Sequence, residues 1–270
     1  MKHTLLSAAL MAALALPVTA SEPVWPDLAQ DLYGSRPLLD GTEHIAIDTP
    51  YRTSEDARTH VKATLAAPPG RLWGKVEVIL DDNPMPVSAV FEFEDPQPRF
   101  AFDVTMRING PTPLHVVGET TDGQLYVADT FVKTSGQGAC AAPPGTDPEA
   151  ALATLGQMRI AITEAAVSGV QDRLAALATR NRQVDLEISH PSHSGMQMDQ
   201  ISLLFIPLRY VETVDIDLDG GSYVEMTGSI SLSENPRVSL SVPGRTQAVD
   251  VTMTDTDGTV SHAQATLPGY

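Results

Sequence analysis

The side chain with the clearest covalent chemistry is Cys140, the single cysteine among 270 residues. It sits in Ser135-Gly136-Gln137-Gly138-Ala139-Cys140-Ala141-Ala142-Pro143-Pro144-Gly145, where Gln137 is the one bulky neighbour. A thiolate is a nucleophile and can hold a small group as an adduct. Gly136, Gly138 and Gly145 free the backbone, and the prolines break helix and strand. The expectation is a mobile or extended arm presenting a thiol that carries substrate. The alternative is an inert thiol, since free cysteine is among the most buried residue types. That alternative needs a strand or helix around Cys140, and the stretch offers neither. Without a second cysteine there is no resolving thiol, which disfavours disulfide exchange as the activity.

Two further constellations have chemical potential. His190, His193, Met196 and Met198 bring two imidazoles and two thioethers into one loop, a set that could hold copper. The plainer reading is a structural loop with gap-filling methionines. Asp215, Asp217, Asp219 and Gly220 match the first half of a calcium loop, but Met226 stands where a bidentate glutamate belongs. A solvated strand face entering a hairpin explains those acids as well. No Ser/His/Asp order, nucleotide loop or Cys-x-x-Cys is present, so neither catalysis nor a cofactor is expected.

The elements that must position these groups read as β-structure. Short alternating runs begin at Ile45–Ile47 and continue through Val61–Leu65, Val76–Leu80, Val87–Phe93, Phe100–Ile108, Leu114–Thr120 and Leu125–Val132. Turn signals such as Pro68-Pro69-Gly70 and Asp122-Gly123 separate them, as in an antiparallel sandwich. Residues 21–39 show no clear period and are expected to be a leader across this first domain. After Cys140 the pattern turns helical. Thr146 or Asp147 can cap a helix with Pro148 at its first position, and Leu152, Leu155, Met158 and Ile162 form an apolar stripe. Val167, Val170, Leu174 and Leu177 suggest a second helical run ending near Arg180 and Arg182. Alternation returns at Val184–Ile188, Ile201–Ile206, Val211–Leu218, Val224–Leu232, Val238–Val242, Val249–Met253 and Val260–Leu267. Asp219-Gly220-Gly221 is a strong hairpin signal within that series.

Residues 1–20 have the layout of a secretory signal peptide. Lys2 and His3 precede an apolar run from Leu5 to Leu16, and Val18-Thr19-Ala20 forms a small-residue cleavage site. The run is too short to span a bilayer. Cleavage after Ala20 removes one lysine and takes the net charge from −17 to −18. Such acidity argues against nucleic acid and anionic lipid as partners and favours basic proteins. The domain plan is therefore 1–20 signal peptide, 21–139 first β-sandwich, 140–183 cysteine arm and helical linker, and 184–270 second β-sandwich. The fold class is all-β.

Particular motifs sharpen this plan. Asn83-Pro84-Met85-Pro86, Thr105-Met106-Arg107-Ile108, Asp122-Gly123-Gln124-Leu125-Tyr126 and Val132-Lys133 running into Cys140 resemble SoxY. Ile188-Ser189-His190-Pro191, Ser194-Gly195, Ile230-Ser231, Asn235-Pro236 and Asp255-Thr256-Asp257-Gly258 resemble SoxZ. The chain looks like a fusion of these two subunits of a sulfur-oxidation carrier. Cys140-Ala141-Ala142-Pro143 is similar to the Cys-x-Ala-Pro segment of fused SoxYZ-like carriers associated with quinoprotein dehydrogenases. The resemblance implies two immunoglobulin-like sandwiches and a periplasmic carrier, with cargo held covalently on Cys140. It also implies partners among periplasmic enzymes of sulfur or alcohol oxidation, including a quinoprotein dehydrogenase or a c-type cytochrome. SoxY ends in a Gly-Gly-Cys-Gly-Gly tail, whereas this chain continues through Pro143-Pro144, so thiosulfate is not implied as the cargo. The other readings are a copper-binding protein and a scaffold for an exported dehydrogenase.

Overall fold

A computed structural model describes residues 24–136, 139, 148–164, 181–199 and 202–267. The signal-peptide segment, Gly138, Cys140, Gly145, the cap at Thr146 or Asp147 and the second helical run lie outside the described residues.

Burial alternates along strands such as Thr59–Ala66 and Ala248–Asp255, whereas Trp73–Leu80 and Thr112–Thr120 are buried along most of their length. The first half contributes α1 (Trp25–Tyr33), β1 (Leu38–Asp40), β2 (Ile45–Asp48), β3 (Thr59–Ala66) and β4 (Trp73–Leu80). It continues with β5 (Val87–Gln97), β6 (Arg99–Met106), β7 (Thr112–Thr120) and β8 (Leu125–Val132). The second half contributes α2 (Pro148–Ala153), β9 (Met158–Glu164), β10 (Arg182–Ile188) and β11 (Val211–Leu218). It ends with β12 (Gly221–Thr227), β13 (Arg237–Val242), β14 (Ala248–Asp255) and β15 (Val260–Thr266). The chain is mostly β, of immunoglobulin-like sandwich type.

The strands form two sheets that each run through both halves. One is nine-stranded, in the order β1-β8-β7-β4-β5-β12-β11-β14-β15. The other is six-stranded, in the order β2-β3-β6-β13-β10-β9. The halves meet where β5 pairs with β12 and β6 with β13, both antiparallel. Val104 faces Val238 and Phe102 faces Leu240 across that seam, all of them buried. Each such side chain contributes about 1.5–3 kcal/mol on burial. One apolar cluster therefore runs from Val61 and Phe91 to Val251 and Met253. The two halves share both layers.

Three local expectations change. Residues 25–33, read as irregular, form α1: Pro26 is tolerated in a first helical turn, and Trp25, Leu28, Ala29 and Tyr33 pack on Ile79, Val117 and Leu125. Trp25 also stacks on His115 at 3.7 Å between ring centroids. The stripe Leu152, Leu155, Met158, Ile162 is not one helix. α2 stops at Ala153, Gly156 turns at φ +75°, and Met158–Glu164 becomes β9 paired with β10. Ile201–Ile206, read as a strand, forms no regular strand among its described residues; 202–206 lie in a hairpin-like excursion. The hairpin at Asp219-Gly220-Gly221 is present between β11 and β12.

Gly118 on β7 marks a tight contact, because a Cβ there would lie 2.6 Å from the Trp73 ring. Trp73 is fully buried, edge-on to Tyr126. Gly118→Ala is expected to cost about 1–3 kcal/mol through overpacking. A urea midpoint unchanged from the parent would show that the indole has room to move.

Candidate functional site

The approach to Cys140 is built by the segment between β2 and β3. Where β8 ends, Lys133 forms a parallel bridge with Arg52. The Lys133 amide donates to the Tyr51 carbonyl at 2.7 Å, and the Thr53 amide donates to the Lys133 carbonyl at 2.9 Å. Lys133 Nζ lies 5.1 Å from the centre of the Tyr51 ring. Next, the buried carboxylate of Asp56 receives the Ser135 amide on Oδ1 at 2.6 Å and the Gly136 amide on Oδ2 at 3.1 Å. The Asp56 carbonyl in turn accepts the Ile108 amide at 2.8 Å. The hydroxyl of Thr59 donates to Thr53 Oγ1 at 2.7 Å and shapes the loop that holds Asp56. Gly136 has φ +91°, a conformation glycine adopts without steric cost. Gly136, read from the sequence as a source of arm flexibility, is thus hydrogen-bonded to Asp56. Ala139, the residue before Cys140, is buried.

Hydrogen bonds from an amide to a carboxylate are among the stronger ones, roughly 1.5–3 kcal/mol each. Asp56→Ala should therefore raise tryptic cleavage after Lys133 by about tenfold or more, since cleavage follows the open population. Mapping the released ends by mass spectrometry checks this. Equal cleavage rates would mean the arm's base is held elsewhere.

The SoxY-like and SoxZ-like motifs converge at the seam. Asn83 Nδ2 donates to the Arg107 carbonyl and to Ser231 Oγ, both at 2.9 Å. The Arg107 amide donates to the Ser231 carbonyl at 2.6 Å. Arg107 Nη1 donates to the carbonyls of Leu232 at 2.6 Å and Ile230 at 3.3 Å. Thr105 and Ser233 share a hydroxyl contact of 2.7 Å. Arg58 reaches the carbonyls of Glu234 and Asn235, each at 3.0 Å. These residues join the halves.

In the His/Met loop both imidazoles are engaged within the protein. His190 has a fully buried side chain whose Nδ1 accepts the Ser192 amide at 2.9 Å, while Nε2 faces Asp255 Oδ2 at 3.4 Å. Both ring nitrogens are thus committed. Burial pushes His190 down to about 4; Asp255 pulls it upward, and Arg209 and His193 add to the depression. His193 Nδ1 contacts Gln197 Oε1 at 3.0 Å, and Met196 and Met198 are exposed. Asp255 receives Arg209 Nε at 2.8 Å and the amides of Thr259 and Asp257 at 2.8 and 3.0 Å. Burial pushes its carboxyl up, but the Thr259 amide, Arg209 and His190 outweigh that and hold it below the usual carboxylate range. Two acids of the calcium half-match hold the hairpin by hydrogen bonds. Asp217 Oδ1 accepts the Ser222 hydroxyl, and Asp219 Oδ1 accepts the amides of Gln247 and Ala248. Among the described residues no three His, Cys, Asp or Glu side chains converge to hold a metal ion.

Comparison with known families settles what the seam joins. Residues 29–140 match the sulfur oxidation protein SoxY, and residues 173–266 match the sulphur oxidation protein SoxZ. The chain is a fused SoxYZ-like protein. The SoxY match ends at Cys140 itself. The sulfur carrier protein SoxY from Chlorobium limicola f thiosulfatophilum is similar at 24% identity, over 42% of this chain and 96% of that one, with a TM-score of 0.33. A superoxide reductase (neelaredoxin) from Ignicoccus hospitalis is similar at 14% identity, over 41% of this chain and 92% of that one, with a TM-score of 0.28. No curated protein sequence matches the chain. Both family matches support a carrier role in sulfur oxidation. Among the described residues no helix is long and apolar enough to cross a membrane.

Asp56 and Arg58 were not legible in the sequence. They lie in a loop of ordinary surface composition, Ser54-Glu55-Asp56-Ala57-Arg58, and their partners are 79 to 177 positions away.

Proposed function

We propose that the chain is a periplasmic carrier that holds a sulfur-containing or other small intermediate covalently on Cys140 and presents it to partner enzymes. The observation that carries this reading is the Asp56 clamp on Ser135 and Gly136, four residues before the sole cysteine. A fixed base and a short tether deliver a thiol to a reproducible place. Four residues reach at most roughly 14 Å. Forming an S–S bond between Cys140 and a reduced sulfur of the cargo removes two electrons. A partner of the c-type cytochrome class accepts them, and the thiol proton passes to solvent. Release breaks that S–S bond without net oxidation: at the enzyme that processes the cargo, an acceptor nucleophile (water or a thiol) takes the cargo sulfur, and the Cys140 thiolate leaves with the bonding pair and regains a proton from solvent. On this reading, drawn from the resemblance to fused carriers, the exchange serves a quinoprotein dehydrogenase system. Export follows from the segment ending at Ala20, and the purified protein should begin at Ser21.

Protein purified from its native host without reductant tests the reading through its mass. The tryptic peptide 134–159 contains Cys140. A mass excess on that peptide, removed by reductant, is the expected result, and its size narrows the cargo. A clean thiol, or only a disulfide-linked dimer, would overturn the carrier reading in favour of a scaffold in which the thiol is incidental.

A further inference from the structure

The SoxZ-like half carries a feature that its sheets do not require. Between β10 and β11 the chain leaves the sandwich at His193 and returns at Arg209, with the Arg209 amide donating to the His193 carbonyl at 3.0 Å. A second antiparallel bridge joins Met198 and Phe205. Hydrogen bonds join Asp199 to the residues from Ser202 to Leu204. The Leu203 amide donates to the Asp199 carbonyl at 2.9 Å, the Asp199 amide to the Leu204 carbonyl at 2.9 Å, and the Ser202 amide to Asp199 Oδ1 at 2.6 Å. Leu203 sits at φ +58°, a left-handed conformation uncommon for a bulky residue. The described residues of this excursion, 196–199 and 202–208, present apolar side chains to solvent. Leu203 and Leu204 are 69% exposed, Phe205 66%, Met198 50%, Leu208 45% and Met196 39%. Scattered exposed apolar residues are ordinary, but a contiguous group on one excursion marks an interaction surface.

Strand register places this surface on the same rim of the sheet as the arm. Val132 at the end of β8 pairs with Thr112, Leu80 with Leu114, Thr213 with Thr227, and Val211 with Asp255, so these strand ends share one rim. A chain of contacts runs along it. Asp56 holds the arm, Arg58 two residues on donates to Asn235, and Asn235 Oδ1 accepts the His190 amide at 3.0 Å. His190 meets Asp255, which binds Arg209 at the excursion's base.

Charge selects the occupant. The chain has a net charge of −17, which opposes both an anionic membrane and a second copy of itself. Locally, Arg209 at the base of the excursion is paired with both Asp255 and Asp257, and the exposed Glu212 follows it on β11. We infer that the Met196–Leu208 excursion is the docking element for a partner enzyme that offers an apolar pocket with a basic rim, positioned to receive the cargo on Cys140. The inference rests on the carrier reading for what the docked enzyme receives, but the docking itself is measured separately.

The test replaces Phe205 with a photo-reactive benzoylphenylalanine in the native host and, in parallel, makes Leu204→Ser/Phe205→Ser. Both changes are at exposed positions, and an unchanged urea midpoint verifies folding. The expected result is a cross-link to one basic exported protein, lost above about 0.5 M salt, where charge attraction is screened. In the double variant the linked sulfur oxidation should fall by about tenfold or more, as for loss of interface hot spots. A cross-link to a second copy, binding to anionic vesicles by the parent alone, or a double variant oxidising at the parent rate would each overturn the docking inference. Cys140→Ser separates the two ideas. If that variant oxidises at full rate while the salt-sensitive cross-link persists, the carrier reading fails and docking stands. If it is inactive while the double variant is fully active, docking fails and the carrier reading stands.

Discussion

Arg107→Leu should lower the stability of the whole molecule by roughly 3–5 kcal/mol, the range for stripping a charged donor from buried partners. Arg107 is 3% exposed, and its guanidinium serves the carbonyls of Ile230 and Leu232, themselves buried on the other side of the seam. Leucine keeps part of the stem's volume but leaves those carbonyls without this donor. A typical domain has only about 5–15 kcal/mol to lose. The consequence reaches both halves because both sheets cross the seam, at β5 with β12 and β6 with β13. Trp25 and Trp73, the only tryptophans, both lie in the SoxY-like half, so fluorescence follows that half while far-ultraviolet dichroism follows all strands. In the parent the two urea transitions should coincide, as a shared core requires. In Arg107→Leu both midpoints should fall by about 1 M or more, taking a slope of about 3 kcal/mol/M for a chain near the upper end of the usual range. Unchanged midpoints would mean that the seam is held by its apolar contacts alone. Separated transitions already present in the parent would mean that the halves fold independently.

That continuity was the least legible part of the sequence. Strand alternation is local, and β14, with Val249, Val251 and Met253 buried in turn, could be read from residue types alone. Pairing between β6 and β13 joins positions 134 to 138 apart, and no local pattern encodes it. β9 failed for a different reason. Leu155, Met158 and Ile162 satisfy a helical spacing, while Met158, Ile160 and Ile162 satisfy a strand, and β10 decides between them by supplying a ladder. At the site, Cys140 stood out because it is alone among small residues. The carboxylate that pins its arm did not, since Asp56 looks like any surface acid until folding buries it beneath Ser135 and Gly136. The His/Met loop drew attention for its donor atoms, yet folding divides the set. His190 turns inward to Asp255, and the methionines turn outward with Leu203, Leu204 and Phe205.

His190 also sets a pH dependence with a definite sign. Its ring is wholly buried, and its folded pKa of about 4 lies below the ordinary 6.5 because burial opposes the charged form. Between those values the unfolded chain takes up a proton that the folded chain refuses. Stability from this group is therefore complete above pH 6.5 and is lost as pH falls toward 4. At 1.36 kcal/mol per unit, the whole window amounts to about 3 kcal/mol. Asp255 works in the same direction at lower pH: its folded pKa is depressed, so its contribution is present above the unfolded carboxylate range and is lost as acid protonates it. His190→Gln removes the imidazole while leaving Asp255 its donors from Arg209, Asp257 and Thr259. The readout is the slope of unfolding free energy against pH, which is independent of the stability from which the variant starts. Urea titrations at several pH values between 4 and 6.5 should show the variant's slope smaller than the parent's by up to about 1.4 kcal/mol per unit. Parallel profiles would mean that His190 titrates normally in the fold, which requires a ring nitrogen open to solvent. That same opening is what a copper ligand at this position would need, so the slope decides between a histidine that joins the excursion to the sandwich and one available for coordination.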